Sequence, residues 1–115
     1  MKPTILPLLM VFALATPARA DTPMAPSAEA VAAAHTPAEH EALAAAYAKE
    51  ASDLRAAAAR HRAMDKEYSA PGYRSLKLGA ALHCKKLVDS YEAAATEADS
   101  LAAAQREAAA GAKAK

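Results

Sequence analysis

The chain has 115 residues, a formal net charge of +1, one cysteine and an aromatic content of 4%. A charge this close to zero argues against a general nucleic-acid binder, which needs many basic side chains against the phosphates. One cysteine excludes an intramolecular disulfide, and alanine, which dominates the sequence, buries too little area to build a large core. We therefore expect stability to come from helix propensity, close packing and self-association.

The first 20 residues predict a secretory signal peptide. Lys2 supplies a positive start, residues 5–16 form an apolar run too short to span a bilayer, and residues 18–20 match the small-x-small cleavage pattern. We expect cleavage between Ala20 and Asp21 and a mature chain that is periplasmic or secreted, with no transmembrane segment. Cleavage removes two of the 14 basic residues, so 12 then face 13 acidic ones.

Residues 21–34, DTPMAPSAEAVAAA, predict a flexible tether. Prolines and small residues dominate the segment, and Met24 and Val31 are its only bulky apolar side chains. A helical turn near its end is the only regular structure that we expect there.

The next residues, HTPAEH, predict the start of a long helix. Thr36 fits the N-cap, Pro37 takes the first helical position, and Glu39 completes a capping box. His35 and His40 fall at the two positions of a hydrophobic staple. We favour packing of these imidazoles across the first turn over a role as ligands.

A strict seven-residue repeat predicts one uninterrupted helix from Pro37 to Tyr68. One column of the repeat holds large side chains and the other holds alanine. The large column is His40, Tyr47, Leu54, His61 and Tyr68, and the alanine column is Ala44, Ala51 and Ala58. The alternating spacing of four and three is typical of a coiled-coil seam, and the alanines allow a partner helix to approach closely.

Pro71 and Gly72 break this pattern and predict a turn over residues 69–75. A second helix is expected over residues 76–110, with Ser75 as its N-cap. It repeats the alternating spacing and so predicts a second seam. The predicted seam residues are Ala80, Cys84, Leu87, Tyr91, Ala94, Ala98, Leu101, Gln105 and Ala108.

The second helix is expected to end at Gly111, with residues 112–115 as a disordered tail. The predicted fold class is therefore all-α, an antiparallel two-helix hairpin over residues 35–111 with a coiled-coil-like, alanine-rich seam. Such a hairpin leaves its second apolar edge exposed. Two hairpins are thus expected to pair as a four-helix bundle, a homodimer.

Soft and borderline metal ligands gather near the predicted turn. Folding at the turn places His61 opposite His83 and Cys84, with Met64 within one turn of them. These side chains suit Cu(I), Cu(II) or Zn(II), so His61, Met64, His83 and Cys84 form the predicted metal site. His83 and Cys84 point about 100° apart on a helix, which leaves a simple packing role open.

Charge is unevenly distributed along the chain. Residues 60–86 carry seven basic and two acidic side chains, whereas residues 21–59 and 87–110 are both acidic. A basic turn end disfavours a dication, favours a reactive Cys84, and would attract anionic surfaces such as phosphate-bearing lipid headgroups. A solvated face that keeps the bundle soluble is the alternative. For Cys84 itself we expect either burial or an intermolecular disulfide.

The sequence contains none of the usual catalytic apparatus: no Gly-rich phosphate loop, no paired catalytic carboxylates and no nucleophile elbow. We therefore expect that the protein is not an enzyme. The first functional hypothesis is a periplasmic helical module that self-associates and that docks on envelope components if it has other partners. Binding of Cu or Zn, as a metal-stress protein, is the alternative, and a redox-responsive Cys84 is a third hypothesis.

The pattern over residues 35–110 resembles small exported helical-hairpin proteins of Gram-negative bacteria. The resemblance lies in the Thr-Pro-Ala-Glu-His start at 36–40, a tyrosine one heptad later, an Ala-x-x-His near the turn, and the His-Cys that opens the return helix. Related sequences carry a further histidine near the C-terminal end, where this chain has Gln105. The resemblance implies the fold and the compartment, and it implies no activity.

Overall fold

A computed structural model describes residues 26–72 and 79–114 of the chain. Of these residues 87% are helical and none lies in a strand, so the predicted all-α class is confirmed. The helices are α1 (Ala28–Ala33), α2 (Pro37–Tyr68) and α3 (Ala80–Lys113). The predicted signal peptide with its cleavage point, the start of the tether and the Ser75 cap lie outside the described residues.

The beginning of α2 follows from local hydrogen bonds. The Thr36 hydroxyl accepts from the Glu39 amide at 3.2 Å, and the Glu39 carboxylate accepts from the amides of Thr36 at 2.9 Å and His35 at 2.8 Å. Pro37 occupies the first turn, where a missing amide hydrogen costs nothing. The predicted capping box is confirmed, and α2 has the bounds that the repeat predicted.

α1 lies within the predicted tether. The Ser27 hydroxyl caps it by accepting from the Ala30 amide at 3.1 Å. α1 buries none of its own side chains, and Val31 stays 45% exposed. The helical turn expected at this place is therefore a six-residue helix.

The bounds of α3 differ from the prediction at both ends. Gly79 is in the left-handed region with φ of +69°, so the helix begins at Ala80 rather than at residue 76. At the other end α3 continues through Gly111 to Lys113. The prediction that Gly111 ends the helix is wrong because a single glycine costs a helix only about 1 kcal/mol relative to alanine, and its neighbours are mostly alanine.

α2 and α3 pack against each other over most of their length. As residue numbers rise on α2, those of their contacts fall on α3: His40 meets Gln105, and His61 meets Tyr91. The two helices therefore run in opposite directions. Alanine forms nearly the whole interface between them, and Leu43 is the largest fully buried side chain. The alanines at most 4% exposed are Ala44, Ala51, Ala58, Ala95, Ala98, Ala102 and Ala109.

The seam of α3 is rotated from the predicted one. Cys84 and Ala98 are buried as predicted, but the second column moves by one residue. Its buried members are Val88, Ala95, Ala102 and Ala109, in place of Leu87, Ala94, Leu101 and Ala108. One residue corresponds to about 100° around a helix, so displacing one of the two columns rotates the centre of the face that contacts α2 by about 50°. The large side chains of one α2 column leave room only for small side chains on α3. The α3 column with Ala95, Ala102 and Ala109 provides small side chains, whereas the column with Leu87 and Leu101 does not.

Candidate interaction surface

The α2–α3 layer has two sides of opposite character. On one side Arg55 pairs with Asp99, and Arg62 pairs with Glu92, across the two helices. The hydrogen bond from Arg55 holds the pKa of the Asp99 carboxyl below its ordinary value and raises that of the guanidinium. All four side chains are about half exposed, so these pairs orient the helices more than they stabilise them.

The opposite side of the layer is apolar. On α3, Glu92 and Asp99, which pair with arginines of α2, each come directly after a seam residue. Leu87 and Leu101 each come directly before one. These two columns therefore lie on opposite flanks of the seam. On α2, Met64 lies three residues after His61 and so falls on the leucine side.

We call this side the apolar face, and it consists of Ala57, Met64, Leu87, Ala94 and Leu101. Met64 is 37% exposed, Leu87 39% and Leu101 47%, whereas the interior is built of alanine. Three of the larger apolar side chains thus lie on the outside, whereas Leu43 and Val88 are buried. The heptad spacing predicted that the two leucines lie in the seam. The sequence does contain a sign of this exposure. α3 carries apolar residues in two adjacent heptad columns, and only one of these columns can pack in the seam.

α1 borders one end of the apolar face. A cleft of about 580 Å³ separates it from the longer helices, lined on the α1 side by Val31 and on the other by Tyr47, Glu50 and Leu101. Leu101 keeps its 47% exposure with α1 in this position. α1 therefore narrows the apolar face without closing it.

The predicted metal ligands are spread over the turn half of the layer. Cys84 is buried in the seam at 6% exposure, while His83 is exposed beside it. Met64 lies on the apolar face. His61 stacks on Tyr91, with ring centroids 5.6 Å apart and planes 27° from parallel.

His61 does not lie opposite His83 and Cys84 as the sequence predicted. Tyr91, its partner, is seven residues past Cys84, which is about 10 Å along a helix axis. α2 ends at Tyr68 as expected and α3 begins four residues later than predicted, whereas the partner of His61 moves by about two turns of α3. Among the described residues, no three His, Cys, Asp or Glu side chains are grouped so that they would hold a metal ion. In this arrangement the four residues do not fit one shared ion.

The open end of the layer holds the other two histidines. His40 Nδ1 is 2.8 Å from the side-chain oxygen of Gln105, a cross-helix hydrogen bond in a seam filled mainly by alanine. His35 is exposed and lines the same shallow cavity as His40. The sequence analysis did not identify Gln105 as the partner of His40. A glutamine in an apolar column is the signal that could have found it.

Comparison of the chain with protein-family models, with curated proteins and with solved structures gave no match in any of the three. The resemblance to exported helical-hairpin proteins therefore stays a prediction. None of the described helices combines the length and the hydropathy that a membrane span requires.

Proposed function

We propose that this protein is a non-enzymatic interaction module that acts by self-association in the periplasm or outside the cell. α2 and α3 form the arms of a hairpin, and two hairpins pair through their apolar faces as a four-helix bundle. One observation carries the proposal: Met64, Leu87 and Leu101 are exposed on one side while the interior is alanine. Exposed apolar patches of this kind mark association sites.

Burial of these side chains sets the strength of the association. Each is already partly covered, so completing its burial is worth about 1 kcal/mol. Three side chains from each copy then supply about 6 kcal/mol, against a cost of association of at least about 4 kcal/mol. We therefore expect a dimer that dissociates on dilution rather than a permanent one.

The ion-paired side is the less suitable one for docking. Its interhelical charges are already matched within the chain by Arg55 with Asp99 and Arg62 with Glu92. Covering them would remove water from four charged side chains without adding a new partner. On the apolar face the described residues form no interhelical ion pair, and the charged side chain that borders it is Glu50, beside Leu101.

Export rests on the sequence of residues 1–20, and the buried position of Cys84 is compatible with it. The only thiol of the chain is 6% exposed. A buried thiol is protected from mixed disulfides in an oxidising compartment, because reaction requires access to the sulfur.

The test is light scattering after size exclusion, over a range of protein concentration. The purified protein should shift from monomer to dimer, and Leu87→Gln with Leu101→Gln should stay monomeric. Leu82→Gln is the matched control: Leu82 is 55% exposed but points about 140° away from Leu87 on the helix. A monomer at every concentration, or equal loss of dimer in the control, would overturn the proposal.

Metal binding through His61, Met64, His83 and Cys84 is the alternative, and it has less support. A shared ion would require ligands from two copies or a shift of α3 along α2. Titration with Cu and Zn, in parallel on His61→Ala and Cys84→Ser, separates the two functions. Tight binding that both substitutions abolish would favour the alternative.

A further inference from the structure

We infer that two copies of this chain associate antiparallel, with their α3 helices crossing a two-fold axis at Ala94. This inference rests on the proposed self-association and adds the register and the direction. It starts from one heptad column of α3, the exposed edge of the apolar face. The column reads Ala80, Leu87, Ala94, Leu101 and Ala108.

This column is a palindrome: it reads the same from either end and is centred on Ala94. In a two-fold interface, if residue i meets residue j of the second copy, then j also meets i. An antiparallel contact centred on Ala94 places each Leu87 beside Leu101 of the second copy. The outer alanines then meet each other, and the central alanines allow the helix axes to come close, as small residues do in helix pairs. Every position of the column finds a partner of matching size.

Charge selects the same direction. Arg62, Glu92 and Asp99 are already paired on the opposite side of the layer. Among the other described residues from 60 to 86, near Leu87, four side chains are basic and two are acidic. From Asp89 to Glu107, around Leu101, three of the other side chains are acidic and one is basic. The antiparallel arrangement places the basic end of each copy beside the acidic stretch of the other. A parallel arrangement would place like charges together, which interfaces avoid.

α1 is compatible with this contact. It lies beside Leu101 across the cleft that Val31 lines, and Val31 is 45% exposed. Leu87 of the second copy would therefore reach Leu101 at the edge of α1 and cover part of Val31 as well. The second copy thus completes the burial of both exposed ends of the face.

Disulfide cross-linking tests the register. In a Cys84→Ala background, Ala94→Cys should cross-link to itself under mild oxidation. Leu87→Cys should cross-link with Leu101→Cys in a mixture, and each alone should react poorly. Ala103→Cys is the matched control, because Ala103 is exposed and lies about 180° from Ala94 on the helix. We expect Ala94→Cys to react about tenfold faster than the control or more, since paired thiols have a high effective concentration.

Self-cross-linking of Leu87→Cys would overturn the inference, because it requires either parallel helices or a two-fold axis at residue 87 rather than at Ala94. A dimer by light scattering in which Ala94→Cys reacts no faster than Ala103→Cys would also overturn it and leave self-association intact. A monomer would remove both proposals. Circular dichroism checks that Cys84→Ala folds. If it does not, the series is repeated with Cys84 retained, and peptide mapping identifies the cross-linked residues.

Discussion

At the scale of single residues, the first turn of α2 is held by one carboxylate. Glu39 accepts hydrogen bonds from the amides of His35 and Thr36 and lies at the N-terminus of a helix, where negative charge is favoured. The amide of His35, then that of Thr36, holds the pKa of Glu39 below its ordinary value. The ionised form is therefore the one that caps the helix.

This capping has a pH dependence of known sign. A lowered pKa contributes stability that is complete above the ordinary value, about pH 4.3 for glutamate, and is lost as pH falls through the lowered pKa. Glu39→Gln keeps an acceptor but no charge, so the difference in unfolding free energy between wild type and variant should shrink on acidification. Urea titrations followed by circular dichroism between neutral and strongly acidic pH measure this difference. A difference that stays constant over that range would contradict the prediction.

The N-cap itself provides a second test at this scale. Thr36→Ala removes the hydroxyl that accepts from the Glu39 amide and should cost about 1 kcal/mol of unfolding free energy. Urea unfolding measures the cost. Thr96→Ala is the control, since the Thr96 hydroxyl bonds a carbonyl inside α3 and caps no helix. A cost at Thr36 no larger than that at Thr96 would show that the capping box contributes nothing.

At the scale of the elements, small side chains determine how α3 lies on α2. The alanine column of α2 and the buried alanines of α3 leave no room at their contact: Ala51 and Ala95 are both 0% exposed. His61 and Tyr91 form the one aromatic stack in the described part of this interface, and the buried Nδ1 of His61 has no hydrogen-bond partner there. Packing at the seam is therefore mainly steric, and His40 and Gln105 add a hydrogen bond across it.

The rotated seam predicts opposite effects for two adjacent alanines. Ala95→Leu should overpack the interface and cost about 1–3 kcal/mol, whereas Ala94→Leu, on the exposed column, should leave the monomer's stability nearly unchanged. Urea unfolding at a concentration below dimer formation makes the comparison. A larger loss of unfolding free energy for Ala94→Leu than for Ala95→Leu would contradict the rotated seam and favour the seam that the sequence predicted.

At the scale of the whole molecule, an alanine interior and an exposed leucine column make stability depend on a second copy. A protein whose folded form associates gains stability by mass action, so its melting temperature rises with concentration. Within the layer that the two helices form, no described residues cover Leu87 and Leu101 completely. Folding and association are thus expected to be coupled.

We therefore expect the melting temperature to increase with protein concentration in the wild type and in Leu82→Gln. The double variant Leu87→Gln and Leu101→Gln should melt at a temperature that does not change with concentration. Differential scanning calorimetry over about a hundredfold range of concentration detects this difference. Equal concentration dependence in the double variant would show that the apolar face is not the site of association.

The sequence by itself determined the features that depend on residues close to each other along the chain. The capping box, the start and end of α2 and its two columns follow from hydrogen bonds and spacing within one helix, and the structure has them as predicted. The all-helical class follows from the same local preferences of alanine. The tertiary structure decided the seam of α3, the partner of His61 and the exposure of Leu87 and Leu101. α3 has two adjacent columns that are both apolar, and only the fit against the large column of α2 chooses between them. The start of α3 at Ala80 follows from the left-handed conformation of Gly79, which no periodic pattern predicts.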